Sequence, residues 1–338
     1  MILRQIFKDR ILLRISVCKN FAIIRNCSSH NKVLFFGTDN FSLPTLKILS
    51  RNNNSELISR LEVVTSLKSI KNPVKQYALE NQLKVHNWED VKKDHRICHS
   101  FDFGLVVSFG HLIPEYVINS FKNGMLNVHA SLLPKYRGAS PIIYALKDHQ
   151  NVTGVTVMKI EPAKFDVGDI LAKKEVSICD NTFMPELHDK LANVGAELLL
   201  DCIKGFHNIK PIKQDNSKAS YAPKITNEFC KVRWKEMTAM QIFDLYRSLY
   251  SFKNLTTTFR NEQVKLLEIS RTSSFVQNED RIAGQIKFCW KSKKLLVRCV
   301  DGLDIEINKL SISKKVMTAK DFNNGFLRKR TELENIFE

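Results

Sequence analysis

Between residues 32 and 160, short apolar runs of strand length alternate with segments of helical periodicity, and this alternation restricts the fold more than any other feature of the chain. Val33 to Phe36 is a continuous apolar run closed by Gly37 and Thr38, and Leu43 to Leu49 reads as the helix after it. Leu61 to Thr65, Asp102 to Phe109, Met125 to His129 and Gly154 to Ile160 repeat the strand signal, and Val74 to Asn81 reads as a second helix. Runs that are apolar on successive residues suit strands buried on both faces, and parallel neighbours need a crossover connection between them. The predicted fold class is α/β: an N-terminal Rossmann-like, mostly parallel sheet with helices on both faces. Gly37 has no G-x-G-x-x-G run around it, so no dinucleotide site is assigned.

The text changes after a further helix over Pro185 to Cys202. Ile209 to Ser220 is polar and aperiodic, as a linker is. Past Tyr221, an amphipathic helix near Ala239 to Leu249 precedes short β-like runs at Thr256 to Phe259, Val264 to Ile269, Gly284 to Phe288, Leu295 to Val300 and Leu303 to Leu310. Several short strands in so few residues predict a small β-barrel, OB-like. The organisation read from the chain is a leader over 1–31, an α/β domain over 32–208, a linker over 209–220 and a C-terminal barrel domain over 221–330. A length of 338 residues allows two domains with separate cores.

Charge narrows the partners. The formal net charge is +17, and residues 221–338 alone carry 22 Lys and Arg against 14 Asp and Glu. Such a field attracts polyanions, and a basic small barrel favours contact with a nucleic-acid backbone. Lys68 and Lys71 add a basic loop just after a strand end, broken by Pro73. Before residue 33, Arg4, Lys8, Arg10, Arg14, Lys19, Arg25 and Lys32 are interleaved with Ile and Leu against one acid, Asp9. That cationic amphipathic pattern predicts a mitochondrial transit peptide. No apolar run reaches the roughly 18 residues of a membrane span, so membrane insertion is not expected. Eight cysteines occur without a C-x-x-C pair or a neighbouring His at ligand spacing, which predicts reduced thiols and no metal site.

Chemistry first shows at Asn127 and His129. Alternate strand residues share a face, so these two point the same way while Val128 packs behind them. The pair on its own is equally compatible with a hydrogen-bonded histidine at a sheet edge. Ligands of open α/β sheets sit at the carboxyl ends of strands, where Ser108 to Pro114 and Ala130 to Pro134 would converge with the pair. Downstream, Asp166 lies in a turn with Gly168 and Asp169, a composition that turns favour without any catalytic role.

The run N-V-H-A-S-L-L-P-K-Y-R-G-A-S-P from Asn127 to Pro141, followed 37 residues after His129 by Asp166, resembles the formyltetrahydrofolate-dependent formyltransferases. F-F-G-T-D-N-F, S-F-G-H-L-I-P, G-V-T-V-M, Y-A-P-K-I and the basic C-terminal domain agree with that resemblance over roughly residues 32 to 330. It implies a catalytic trio of Asn127, His129 and Asp166. It also implies 10-formyltetrahydrofolate as co-substrate, lying along Ser131, Leu132, Leu133 and Pro134 with its pterin near Val107, Phe109 and Gly110, and no metal. With the leader, the implied acceptor is the α-amine of methionine on an initiator tRNA in the mitochondrial matrix. Lys68, Lys71 and Arg137 are then the implied tRNA contacts, and a monomer is expected. The family's bacterial text at the aspartate is D-x-G-x-D-T-G, whereas this chain reads Glu161, Pro162, Ala163, Lys164, Phe165, Asp166, Val167, Gly168, with Asp169 as the fallback. Two other readings remain: formyl transfer to a small-molecule amine, which shares the trio and is set apart only by the leader, Y-A-P-K-I and the basic C-terminal domain, and an RNA-binding protein on an inactive scaffold, which the presence of all three chemical residues disfavours.

The chemistry suits those residue types. Amine attack on a formyl carbon builds negative charge on oxygen and positive charge on nitrogen. Asn127 supplies an amide donor for the oxyanion, His129 a proton relay, and Asp166 a carboxylate that orients the imidazole and favours its cationic form.

Overall fold

The computed structural model describes residues 30–68, 70–272, 280–328 and 335–338. Residues 1–29 of the expected transit peptide, and Lys329 and Arg330 of the basic C-terminal set, lie outside the described residues, whereas Asn31, placed in the leader, already begins the first strand. Seven strands form the first sheet: β1 (Asn31–Phe36), β2 (Ile58–Thr65), β3 (Lys84–Asn87), β4 (Phe103–Val107), β5 (Met125–His129), β6 (Val152–Lys159) and β7 (Ile170–Ser177). Their order is β3-β2-β1-β4-β5-β6-β7. Pairing is parallel as far as β5, while β5 to β6 and β6 to β7 are antiparallel. The strand order reverses between β1 and β4, which opens a crevice at their carboxyl ends. Thr38 Oγ1 donates to Ser108 O across that crevice at 3.0 Å, and the Ser108 hydroxyl donates to Asp39.

Both faces of the sheet are covered. Val33, Phe35, Val63, Leu105 and Val128 pack on one side, and Leu34, Phe36, Val64 and Val106 on the other with Trp88, Phe109 and Phe121. The helix Met184–Gly205 lies behind β5, because Leu187, Leu191, Gly195, Leu199 and Ile203 recur every four residues as one buried stripe. Gly195 sets the approach, since a Cβ there would fall 2.7 Å from Val128 Cγ1. The residue between Asn127 and His129 is thus anchored in the core, which fixes the pair on the opposite face.

The second sheet comprises β8 (Leu255–Phe259), β9 (Glu262–Arg271), β10 (Ile286–Cys289), β11 (Lys294–Arg298), β12 (Asp304–Ile312) and β13 (Lys315–Thr318). Its pairings are all antiparallel, ordered β10-β11-β12-β9-β8 with β13 beside β12. The chain terminus joins the two outer strands. Glu338 exchanges both backbone hydrogen bonds with Thr258, while Phe337 N donates to Gly284 O and Ile286 N to Asn335 O. Residues 335–338, beyond the predicted limit at 330, therefore close this domain into a barrel-like ring. Phe337 stacks on buried Trp234, whose indole donates to Thr257 Oγ1 at 2.8 Å.

The helix Ala239–Leu249 seats the second domain on the first against the helix Pro141–Lys147. Arg247, 1% exposed, donates to Asp244 Oδ1 at 2.7 Å and to the carbonyls of Leu146, Cys179 and Thr182 in the first domain. His149 of the first domain meets the other oxygen of Asp244 at 2.9 Å.

The predicted elements are present, with ends displaced by a few residues. Three strands had no usable sequence signal: β3 has four residues, β7 exposes Lys173 to Glu175 at the sheet edge, and β13 reads K-V-M-T. Trp290 is 59% exposed, with the Arg328 guanidinium carbon 4.8 Å from its ring centroid. Among the described residues no helix is long and apolar enough to cross a membrane, and the six described cysteines are free thiols.

Candidate active site

Asn127 and His129 end β5 on one face, and Asp166 reaches them from the turn between β6 and β7. Asp166 Oδ1 accepts from Asn127 Nδ2 at 3.4 Å and lies 3.5 Å from His129 Nδ1. Its other oxygen accepts the backbone N–H of Gly138 at 2.8 Å. His129 Nε2 lies 2.8 Å from Tyr136 O, and a carbonyl can only accept, so Nε2 carries hydrogen and Nδ1 is the nitrogen facing the carboxylate. His129 and Asp166 are buried and Asn127 half-buried. The arrangement offers an amide donor, an imidazole and a carboxylate around one point at a strand end.

Local backbone makes this possible. Asp166 and Tyr136 both have left-handed φ values, 57° and 60°. Asp tolerates that region better than most residues, so the unusual text around it still turns the carboxylate inward. Gly138 has φ 115°, and a Cβ there would lie 2.8 Å from Ala222 O, so only glycine can bring its N–H to Asp166 at this position. Asp169, the fallback, uses its carbonyl to accept from Lys159 N and has no described contact with either partner of the pair.

The loop after β5 is pinned from β6 and β7. Buried Thr156 donates to Ser131 O at 2.7 Å and accepts from Leu133 N at 3.1 Å, and the Lys173 ammonium donates to Leu133 O. Lys173 is an exposed residue, but partial desolvation of its ammonium pulls its pKa down, while burial and the neighbouring Asp148 carboxylate push that of Tyr136 up. Of the expected folate contacts, Val107, Phe109, Ser131 and Leu133 are buried. Gly110 is exposed, and Leu132 and Pro134 are half-buried. Lys68 and Lys71 are exposed after β2, in a loop anchored by Asn72 Nδ2 donating to Thr65 Oγ1 at 2.7 Å.

Arg137 requires correction as a tRNA contact. Only 4% of it is exposed, and its guanidinium donates to Gln214 Oε1 at 2.7 and 3.1 Å and to Asn216 Oδ1 at 2.9 Å. Gln214 Nε2 in turn donates to Asp166 O at 3.0 Å and Gly168 O at 2.8 Å. Gln214 sits in the polar segment expected to be a spacer, and no periodicity or motif marks it. Among the described residues no His, Cys, Asp and Glu side chains cluster as metal ligands. A cleft of about 470 Å³ lies near the start of β5, by Lys122, Met125 and Lys159, and includes none of the trio.

A protein-family model described as "Formyl transferase" matches residues 32–203, and one described as "Formyl transferase, C-terminal domain" matches residues 224–327. The chain belongs to the formyl transferase family. Over 311 residues this formyl transferase is 38% identical to the mitochondrial methionyl-tRNA formyltransferase of Homo sapiens, covering 88% of the chain and 78% of that relative. It is 31% identical to the methionyl-tRNA formyltransferase of Caldicellulosiruptor saccharolyticus, covering 89% of the chain and 99% of that relative. Among solved structures, the formyl transferase shares its fold with the N-formyltransferase of Helicobacter canadensis in complex with folinic acid and dTDP-3-aminofucose. The TM-score is 0.63 at 20% identity, over 82% of this chain and 98% of that one.

Proposed function

We propose that this chain transfers the formyl group of 10-formyltetrahydrofolate to the α-amine of methionine carried on initiator tRNA, in the mitochondrial matrix. The convergence of Asn127, His129 and Asp166 at the end of β5 carries the chemical part of this reading. The mitochondrial methionyl-tRNA formyltransferase relative, aligned across 88% of the chain, supports the acceptor and the compartment.

In this reading the amine nitrogen attacks the formyl carbon, a C–N bond forms and the carbonyl electrons move onto oxygen. Asn127 Nδ2, held among the described residues by a long 3.4 Å contact to Asp166, turns to donate to that oxyanion. The attacking nitrogen is now cationic and loses a proton to His129 Nδ1, the ring atom left available by the Nε2 bond to Tyr136 O. Asp166 stabilises the imidazolium and keeps the ring in place. Collapse of the oxyanion then breaks the bond to N10, which takes the proton and leaves as tetrahydrofolate. Because the imidazole has a carbonyl on one side and a carboxylate on the other, it needs no rearrangement to bear charge.

Exposed Lys68 and Lys71, together with the cationic second domain, hold the tRNA through its phosphates. The reading is tested by supplying formylfolate with charged initiator tRNA, uncharged tRNA, methionine amide or an amino sugar. Formylation of the charged tRNA in strong preference to the free amines is expected. Equal or better use of a small amine would replace the acceptor, and no transfer to any amine would remove the enzymatic reading.

A further inference from the structure

The two residues in left-handed conformation at the site, Tyr136 and Asp166, are both held by one segment, residues 212–220. Tyr136 presents the carbonyl that fixes His129, and its own N–H donates to Ser220 Oγ at 2.9 Å. Asp166 presents the carboxylate, and Gln214 Nε2 grips the carbonyls at both ends of its turn, those of Asp166 and Gly168. A left-handed non-glycine residue persists only where its surroundings over-determine it. Here one polar stretch supplies the constraint on both sides of the His129 to Asp166 contact.

The stretch is itself fixed at several points. Ile212 exchanges both backbone hydrogen bonds with Ile170 at the start of β7, at 2.8 and 2.9 Å. Buried Arg137 locks the Gln214 carboxamide, because its two donors on Oε1 leave Nε2 facing the Asp166 turn. This also fixes which amide atom is nitrogen. Arg137 N donates to Ser220 O at 2.8 Å and Ala222 N to Arg137 O at 2.7 Å, so the exit toward the second domain is tied to the same loop.

We propose that Gln214 is a positioning residue of the formyl-transfer site, forming with Arg137 and Ser220 a clamp through which the interdomain segment sets the spacing of His129 and Asp166. Gln214 touches neither the trio's side chains nor the exposed basic loop, so it acts on the chemical step and leaves substrate affinity unchanged. The proposal rests on the assignment of Asn127, His129 and Asp166 as the reacting groups.

Gln214→Glu and Gln214→Ala separate positioning from folding. Glutamate keeps an acceptor for Arg137 and gains its charge, so the segment stays seated, yet it has no donor for the Asp166 and Gly168 carbonyls. The expected result for Gln214→Glu is a melting temperature near wild type, KM for formylfolate and for charged tRNA within about twofold, and a kcat lowered at least tenfold. Gln214→Ala should match that kcat loss and also melt earlier. Ser220→Ala should lower kcat less, because the Arg137 N–H to Ser220 carbonyl bond survives. A folded Gln214→Glu enzyme with wild-type kcat overturns the clamp, as does a loss expressed in KM alone. The underlying reading fails separately: in that case wild-type protein forms no product, or His129→Ala retains full activity.

Discussion

Replacing Arg247 with methionine would strip the domain interface of its main polar tie. The side chain is 1% exposed, and its partner Asp244 is 3% exposed. Loss of the guanidinium leaves Asp244, among the described residues, with His149 alone, a half-exposed histidine, and leaves the Leu146, Cys179 and Thr182 carbonyls without that donor. Breaking a buried pair from one side costs about 3–5 kcal/mol, whereas an exposed pair costs about 0–1. Removing the stranded charge should return part of that loss, so Arg247→Met with Asp244→Asn should be much less destabilised than the sum of the two single changes. Urea unfolding of the four proteins, followed by tryptophan fluorescence, measures the cycle; Trp234 reports on the second domain and Trp88 on the first. A loss below about 1 kcal/mol for Arg247→Met, or strict additivity, would refute the argument that the latch is desolvated and coupled.

The site and the surface make their own predictions. Gly138→Ala should cost at least tenfold in kcat, because a Cβ at φ 115° and 2.8 Å from Ala222 O moves the N–H off Asp166; wild-type turnover would remove that hydrogen bond from the mechanism. Charge reversal at Lys68 and Lys71 should weaken tRNA binding and lower its salt slope by about one unit for each phosphate no longer neutralised, with single-turnover formylation at saturating tRNA unchanged. An unaltered slope would exclude that loop as the grip. The hydrogen bond to Ser292 holds the Cys289 thiol below its usual pKa, while burial pushes Cys98, Cys202 and Cys299 up to about 12. Iodoacetamide at pH 8 should therefore modify Cys289 well before those three, as read by peptide mass spectrometry. Comparable rates would mean that Cys98, Cys202 and Cys299 are not shielded as the structure has them.

How far the sequence exposes this architecture depends on what each residue's role leaves in local pattern. Asn127 and His129 are legible because a period of two on an apolar strand marks two polar residues as neighbours on one face. Asp166 is legible only through a resemblance, since nothing local distinguishes an inward carboxylate in a turn from an outward one. Its left-handed φ and the Gly138 N–H are what turn it inward. Strand β7 hides because an edge strand exposes Lys173, Lys174 and Glu175, breaking the apolar text. Arg137 looks like a surface cation until the segment from Ile212 folds back and buries it. Gln214 has no local signal at all, because its function arises from hydrogen bonds to residues 46 and 48 positions away in the chain. The closing segment at residues 335–338 is missed for the same reason: its partners at Thr258 and Gly284 are distant in sequence.

In the proposed mechanism Asn127, His129 and Asp166 act on the formyl group itself. Single-turnover transfer from formylfolate to charged initiator tRNA, with enzyme in excess and every tRNA bound, isolates that step. Asn127→Ala should lower this rate by about 10²–10³ while the Kd for tRNA stays within about twofold, because an oxyanion donor acts only as charge develops. A near-normal single-turnover rate, or a loss confined to tRNA affinity, would remove Asn127 from the formyl-transfer step.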